Sequence, residues 1–194
     1  LHCLPFTLTE AQERVLEEIL SDLSRPKAMS RLLQGEVGSG KTIIATLALL
    51  VAVANGYQGA LMAPTEVLAE QHFNNICDYL SKTSTQKCHC ERGEATSSQQ
   101  SNPSSYKGFL PRPLTIALLI GSLKESEKEN LHSKITQGGI DIVIGTHALI
   151  QKEVEFNKLG LAVIDEQHRF GVLQRSALRQ KGFNPHVLVM TATP

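Results

Sequence analysis

Gly35-Glu36-Val37-Gly38-Ser39-Gly40-Lys41-Thr42 fits the pattern G-x-x-x-x-G-K-[ST], and its flanks decide how it is read. Arg31-Leu32-Leu33-Gln34 before it reads as a short strand. Thr42 to Ala54 after it reads as an apolar helix, stopped by Asn55-Gly56. Strand, glycine turn and helix, in that order, let backbone N–H groups and the positive end of a helix face one anion. Gly35, Gly38 and Gly40 allow the close wrapping that side chains would block, with Glu36, Val37 and Ser39 between them. Lys41 is then the cation for the β- and γ-phosphates, and Thr42 offers its hydroxyl to Mg²⁺. The expected ligand of this P-loop is ATP with Mg²⁺.

Outward from the loop, the chain alternates. Thr9 is an expected N-cap, and Ala11, Val15, Ile19 and Leu23 follow at helical spacing until Pro26. Downstream come a strand at Gly59 to Ala63 and a helix at Val67 to Leu80. Leu114 to Ile120 reads as strand, Lys124 to Thr136 as helix, and Asp141 to Ile144 as strand. Leu161 to Ile164 (strand), Gln174 to Gln180 (helix) and Val187 to Met190 (strand) complete the series. Strands alternating with helices imply an α/β parallel sheet with helices on both faces. Short apolar strands such as Leu161-Ala162-Val163-Ile164 fit a sheet covered on both sides. Between Lys82 and Pro113 the alternation breaks into a Ser-rich stretch with Pro103, Pro111 and Pro113. That composition predicts a flexible surface insertion at 82–113 within one domain spanning 1–194.

A phosphate loop alone does not hydrolyse ATP; it needs a carboxylate for the metal and a group to prepare water. Leu161-Ala162-Val163-Ile164-Asp165-Glu166 supplies both at the carboxyl end of an apolar strand, where open parallel sheets place their sites. Asp165 is the expected Mg²⁺ ligand and Glu166 the residue that polarises the attacking water, so Lys41, Asp165 and Glu166 form the expected catalytic set.

Composition adds less. The chain has 194 residues, 41% of them hydrophobic, and Lys plus Arg (19) balances Asp plus Glu (19). Zero formal charge gives no electrostatic sign of a nucleic-acid partner, so such a partner must be argued from motifs. Cys3, Cys77, Cys88 and Cys90 lack zinc-finger spacing and are expected to be free thiols of a reducing, intracellular compartment. The longest apolar run, Ile43 to Ala54, is too short to span a bilayer, so no membrane role is expected. With Leu1 first and no signal-like segment, the chain reads as a piece of something longer.

Asp165-Glu166-Gln167-His168 resembles the DExH form of motif II of superfamily 2 helicases and translocases. Other pieces match that pattern in order. The segment from Phe6 through Gln12 resembles the upstream adenine-recognition segment, and Ala63-Pro64-Thr65-Glu66 resembles motif Ia. Gly121-Ser122 and Gly145-Thr146-His147 resemble the next two motifs, and Thr191-Ala192-Thr193-Pro194 resembles motif III. Longer strings, among them Leu68-Ala69-Glu70-Gln71-His72 and Asp165-Glu166-Gln167-His168-Arg169-Phe170-Gly171-Val172, resemble the RecG family, ATP-dependent DNA helicases of branched-DNA repair and recombination. Glu36 stands where that family commonly has Asp, and Leu173 where it often has an acid.

The resemblance implies a RecA-like first motor domain that couples ATP hydrolysis to movement on duplex DNA at stalled forks and Holliday junctions. It implies that Gln12 reads adenine with Phe6 near the base. Pro64, Thr65, Gly121, Ser122, Thr146 and His147 then face the nucleic-acid backbone, while Gln167, His168, Thr191 and Thr193 couple nucleotide state to those segments. Implied partners are DNA, a second RecA-like domain bringing an arginine to the site, and a junction-splitting wedge domain. A monomer is expected. The implied location is cytoplasm or nucleoid, or a mitochondrion or chloroplast if the insertion marks a eukaryotic member. Competing readings are the transcription-repair coupling type of translocase, a P-loop phosphotransferase, and a non-catalytic nucleotide-binding module.

Overall fold

Residues 7–82, 88–91, 113–165 and 177–192 are described by the computed structural model. The first helix, α1 (Glu10–Leu23), starts where the sequence places it. The Thr9 hydroxyl accepts the Gln12 N–H at 3.3 Å, and the Gln12 side-chain oxygen accepts the Thr9 N–H at 3.0 Å. This reciprocal cap satisfies two N–H groups that a helix start leaves unpaired. Leu16 and Ile19 form its buried face.

There follow β1 (Ser30–Gln34), α2 (Lys41–Ala54), β2 (Gln58–Met62), α3 (Glu66–Lys82), β3 (Cys88–Glu91) and β4 (Leu114–Leu119). The chain continues with α4 (Glu125–Thr136), β5 (Ile142–Gly145), a 3₁₀ turn at His147–Ile150, β6 (Leu159–Asp165) and β7 (His186–Thr191). Residues 177–179 are helical and Gln180 is in a turn, while 174–176 of the helix expected at Gln174 to Gln180 lie outside the described residues.

Among the described residues, seven strands form one sheet in the order β1-β7-β6-β2-β5-β4-β3, and every pairing is parallel. Alternation along each strand feeds two cores. Leu161 and Val163 face the layer of α1, α2 and α3, together with Leu61, Ile116, Ile144 and Leu188. Ala162 and Ile164 face the opposite layer, with Leu131 and Ile135 of α4 and Leu149 of the 3₁₀ turn. Period-two alternation then puts Asp165 on the side of α2 and α3. Gln58, a buried amide, is fully used: its nitrogen donates to the carbonyls of Ile135 (3.0 Å) and Ile140 (2.7 Å), and its oxygen accepts the Lys158 N–H (3.1 Å).

Two expectations are corrected. β3 falls inside the stretch read as an insertion without structure, and it pairs in parallel with β4. Cys88-His89-Cys90-Glu91 has no apolar pattern; backbone pairing at a sheet edge needs none, and that is why the sequence did not announce it. Cys77 on α3 is disulfide-bonded, not a free thiol. α3 packs beside β3, a closeness that cysteine spacing along the chain does not encode.

A cavity of about 550 Å³ opens at the amino edge of the sheet, lined by Leu23, Val51, Tyr57, Leu159, Phe183 and His186 among others. It lies at the end of the strands away from the glycine loop. Beside it the His186 Nδ1 accepts the Met29 N–H at 3.0 Å, which requires that nitrogen unprotonated. Burial pushes the His186 pKa below its ordinary 6.5, opposed by the nearby Asp22 charge. The folded state therefore favours the neutral ring. Its contribution is complete above pH 6.5 and is lost as pH falls through the depressed folded value. Thermal unfolding should show a midpoint that declines below pH 6.5, with a shallower decline in His186→Asn, whose side-chain oxygen accepts the same N–H at any pH. Equal slopes in the two proteins would remove His186 from the cause.

Candidate nucleotide site

Strand register gathers the site. Gln34 pairs with Thr191, Met190 with Asp165, Ile164 with Met62, and Gly145 with both Met62 and Leu119. The carboxyl ends of six strands thus form one edge. The loop after β1 and the carboxylate ending β6 are separated only by β7, about 10 Å at the usual strand spacing. Lys41, at the start of α2 after that loop, and Asp165, at the end of β6, therefore lie at the same edge of the sheet.

Within the loop, Gly38 and Gly40 have φ of 85° and 84°, backbone that side chains resist. Gly40 is also crowded: a Cβ there would collide with the side-chain amide of Gln12. Ser39 N–H donates to the Glu36 carbonyl at 3.1 Å, closing the turn. Gly35 N–H donates to the Thr191 carbonyl at 3.2 Å, fastening the loop base to β7. Among the described residues, the N–H groups of Val37, Gly38, Gly40, Lys41 and Thr42 have no partner. Converging donors at the start of α2 are what a phosphate requires. Lys41 Nζ donates to the Gly35 and Glu36 carbonyls at 2.7 and 2.8 Å, which holds its charge over the loop. Thr42 is the second residue of α2, and its carbonyl accepts the Thr46 hydroxyl at 2.7 Å, so the polar residue within the apolar helix is satisfied.

Gln12 reaches this loop. Its Nε2 donates to the Ser39 carbonyl at 3.0 Å while its oxygen caps α1. The residue expected to read adenine therefore braces the phosphate loop, and Phe6 lies outside the described residues. Asp165 is 8% exposed, and its Oδ2 lies 2.7 Å from His72 Nε2 on α3. Glu166, Gln167, His168 and Thr193 lie outside the described residues.

The family model for DEAD/DEAH box helicases matches residues 9–114 and 104–194. The chain belongs to the DEAD/DEAH box helicase family. It is 50% identical over 191 residues to the ATP-dependent DNA helicase RecG of Streptococcus pneumoniae, covering 98% of this chain and 24% of that protein. RecG of Synechocystis is 47% identical over 191 residues, covering 98% of this chain and 20% of that protein. The structure of RecG bound to a three-way DNA junction superposes with a TM-score of 0.73 at 42% identity, covering 98% of this chain and 22% of that one. The chain thus spans about a quarter of the relatives it resembles. The UvsW helicase of bacteriophage T4 shares the fold, with a TM-score of 0.61 at 14% identity, over 97% of this chain and 53% of that one. These matches fix the parallel sheet as a RecA-like helicase domain. The RecG relatives named here are bacterial and give the organellar expectation no support.

In this helicase domain the segments expected to face nucleic acid emerge from the same edge, after β2, β4 and β5. Thr65 caps α3 by accepting the Leu68 N–H at 3.3 Å. Glu66 Oε1 accepts the Ser122 N–H at 3.2 Å, joining the Pro64-Thr65 and Gly121-Ser122 segments. Gly145 has no room for a side chain, since a Cβ would collide with the Leu119 carbonyl. His147 is exposed, but Thr146 is buried, and its hydroxyl has no partner among the described residues. Its side chain does not reach the surface where the expectation put it. No helix among the described residues is long and apolar enough to cross a membrane.

His72 was not singled out by sequence reasoning, though a signal existed. Ala69, His72, Phe73 and Ile76 fall at i, i+3, i+4 and i+7, so a histidine occupies the buried stripe of α3.

Proposed function

We propose that the chain is the first motor domain of an ATP-dependent DNA helicase that remodels branched DNA in repair and recombination. The observation that carries this reading is the shared carboxyl edge, where the loop before Lys41 and the strand ending at Asp165 lie one strand apart, with the Pro64, Ser122 and His147 segments following strands of the same edge. The named RecG relatives supply the class of substrate.

Lys41 and the loop N–H groups bind the β- and γ-phosphates. Thr42 and Asp165 present hard oxygen donors, the set that suits Mg²⁺, an ion that commonly takes one or two carboxylates and completes its shell with substrate phosphates and water. When bound, Mg²⁺ neutralises phosphate charge. Glu166 orients the attacking water. Gln12, bonded to Ser39, holds the loop against α1 and meets the adenine with Phe6. Pro64, Thr65, Gly121, Ser122 and His147 contact the DNA backbone, with Thr146 supporting them from beneath. Thr191 holds the base of the loop and, with Gln167, His168 and Thr193, passes nucleotide state to that surface.

The parent protein works inside the cell on DNA, as a monomer. Its second RecA-like domain adds an arginine worth about 10³–10⁵ in rate, and a wedge domain splits junction arms. ATPase assays of the full-length protein should rise with a three-way junction, while this 194-residue chain binds ATP, turns it over slowly and unwinds nothing. Turnover in the full-length protein that ignores DNA would remove the motor reading.

A further inference from the structure

Asp165 and His72 form a contact that the ATP site as described does not use. Both are nearly fully buried, His72 and Asp165 each 8% exposed. His72 Nε2 lies 2.7 Å from Asp165 Oδ2, close enough for a charge-assisted hydrogen bond. The other ring nitrogen, Nδ1, is buried without a partner among the described residues. The neighbours of His72 on the same stripe of α3, Ala69, Phe73 and Ile76, are apolar and pack into the core.

A buried imidazole–carboxylate pair is poor value as a stabiliser. Both groups lose hydration, and an apolar side chain on α3 would avoid that loss and the orphaned nitrogen. Its effect is geometric. Asp165 ends β6, so its backbone is fixed by pairing with β7, but its carboxylate can still rotate. The bond from Nε2 fixes Oδ2 and leaves Oδ1, which has no partner among the described residues, as the oxygen available to a cation. His72 itself is a poor Mg²⁺ ligand, since that ion prefers oxygen and retains its water.

We propose that His72 is the positioning residue of the metal ligand Asp165, setting how tightly the site takes Mg²⁺ rather than how tightly it takes the nucleotide. This rests on the reading of Asp165 as that ligand. Groups that orient metal ligands from behind typically change metal affinity or activity by about 10–100-fold when removed.

The test uses the full-length protein as wild type, His72→Ala, His72→Gln and Asp165→Asn. Two quantities are read: binding of a fluorescent ATP analogue in EDTA and in a Mg²⁺ titration, and the Mg²⁺ concentration at half-maximal ATPase. His72→Ala should raise the Mg²⁺ midpoint about tenfold in both titrations and leave binding in EDTA unchanged. His72→Gln, whose side-chain amide can donate in place of Nε2–H, should recover most of the shift. A wild-type midpoint in His72→Ala beside a raised one in Asp165→Asn would overturn the role of His72 and leave the site reading intact. Wild-type midpoints in both would overturn the role of Asp165 as well. Equal losses with and without Mg²⁺, unrelieved in His72→Gln, would make His72 a packing residue only.

Discussion

Lys41→Ala in the full-length protein is expected to lose ATP turnover by about 10²–10³-fold, roughly 3–4 kcal/mol of transition-state stabilisation. The side chain is the cation in a loop whose other donors are backbone N–H groups, and charge on the transferring phosphoryl group grows toward the transition state. Its present partners are the carbonyls of Gly35 and Glu36, which water can satisfy after truncation because the loop is largely exposed. Folding should therefore survive. Steady-state ATPase at saturating junction DNA, paired with thermal unfolding, checks both halves. Turnover within threefold of wild type would place the phosphates elsewhere.

Glu166→Gln is expected to separate binding from chemistry. Glutamine keeps the size and one acceptor oxygen of glutamate but loses the negative charge that draws a proton from water. Loss of such a group typically lowers rate about 10²–10⁴-fold. Affinity for ATP should hold, because Lys41, Thr42, Asp165 and the loop N–H groups remain. Single-turnover hydrolysis, measured beside binding of a fluorescent ATP analogue, reads the two quantities independently. Normal single-turnover rates would assign water activation to another residue.

Much of this arrangement could be read from the chain because its physics is local. The glycine spacing before Lys41, the Thr9–Gln12 cap and the apolar run ending at Asp165 each have a short-range cause, and each appears where expected. Boundaries moved slightly: β6 starts at Leu159, two residues early, and α3 runs from Glu66 to Lys82. What escaped depends on distant partners. The edge strand Cys88–Glu91 is held by β4, and His72 matters through a contact 93 residues away in sequence. Thr146 was expected at the nucleic-acid surface from its motif, yet it is buried where the chain leaves β5 and enters the 3₁₀ turn. Sheet order was equally beyond the sequence, and it is sheet order that puts β6 within one strand of β1.

Crystals of the full-length protein grown with Mn²⁺ and a non-hydrolysable ATP analogue would locate metal and phosphates together by anomalous scattering. A manganese peak about 2 Å from the Thr42 hydroxyl, reached by Asp165 directly or through one water, is the predicted result, with Lys41 on the terminal phosphates. A peak remote from both Thr42 and Asp165, or a triphosphate bound away from the loop, would contradict it.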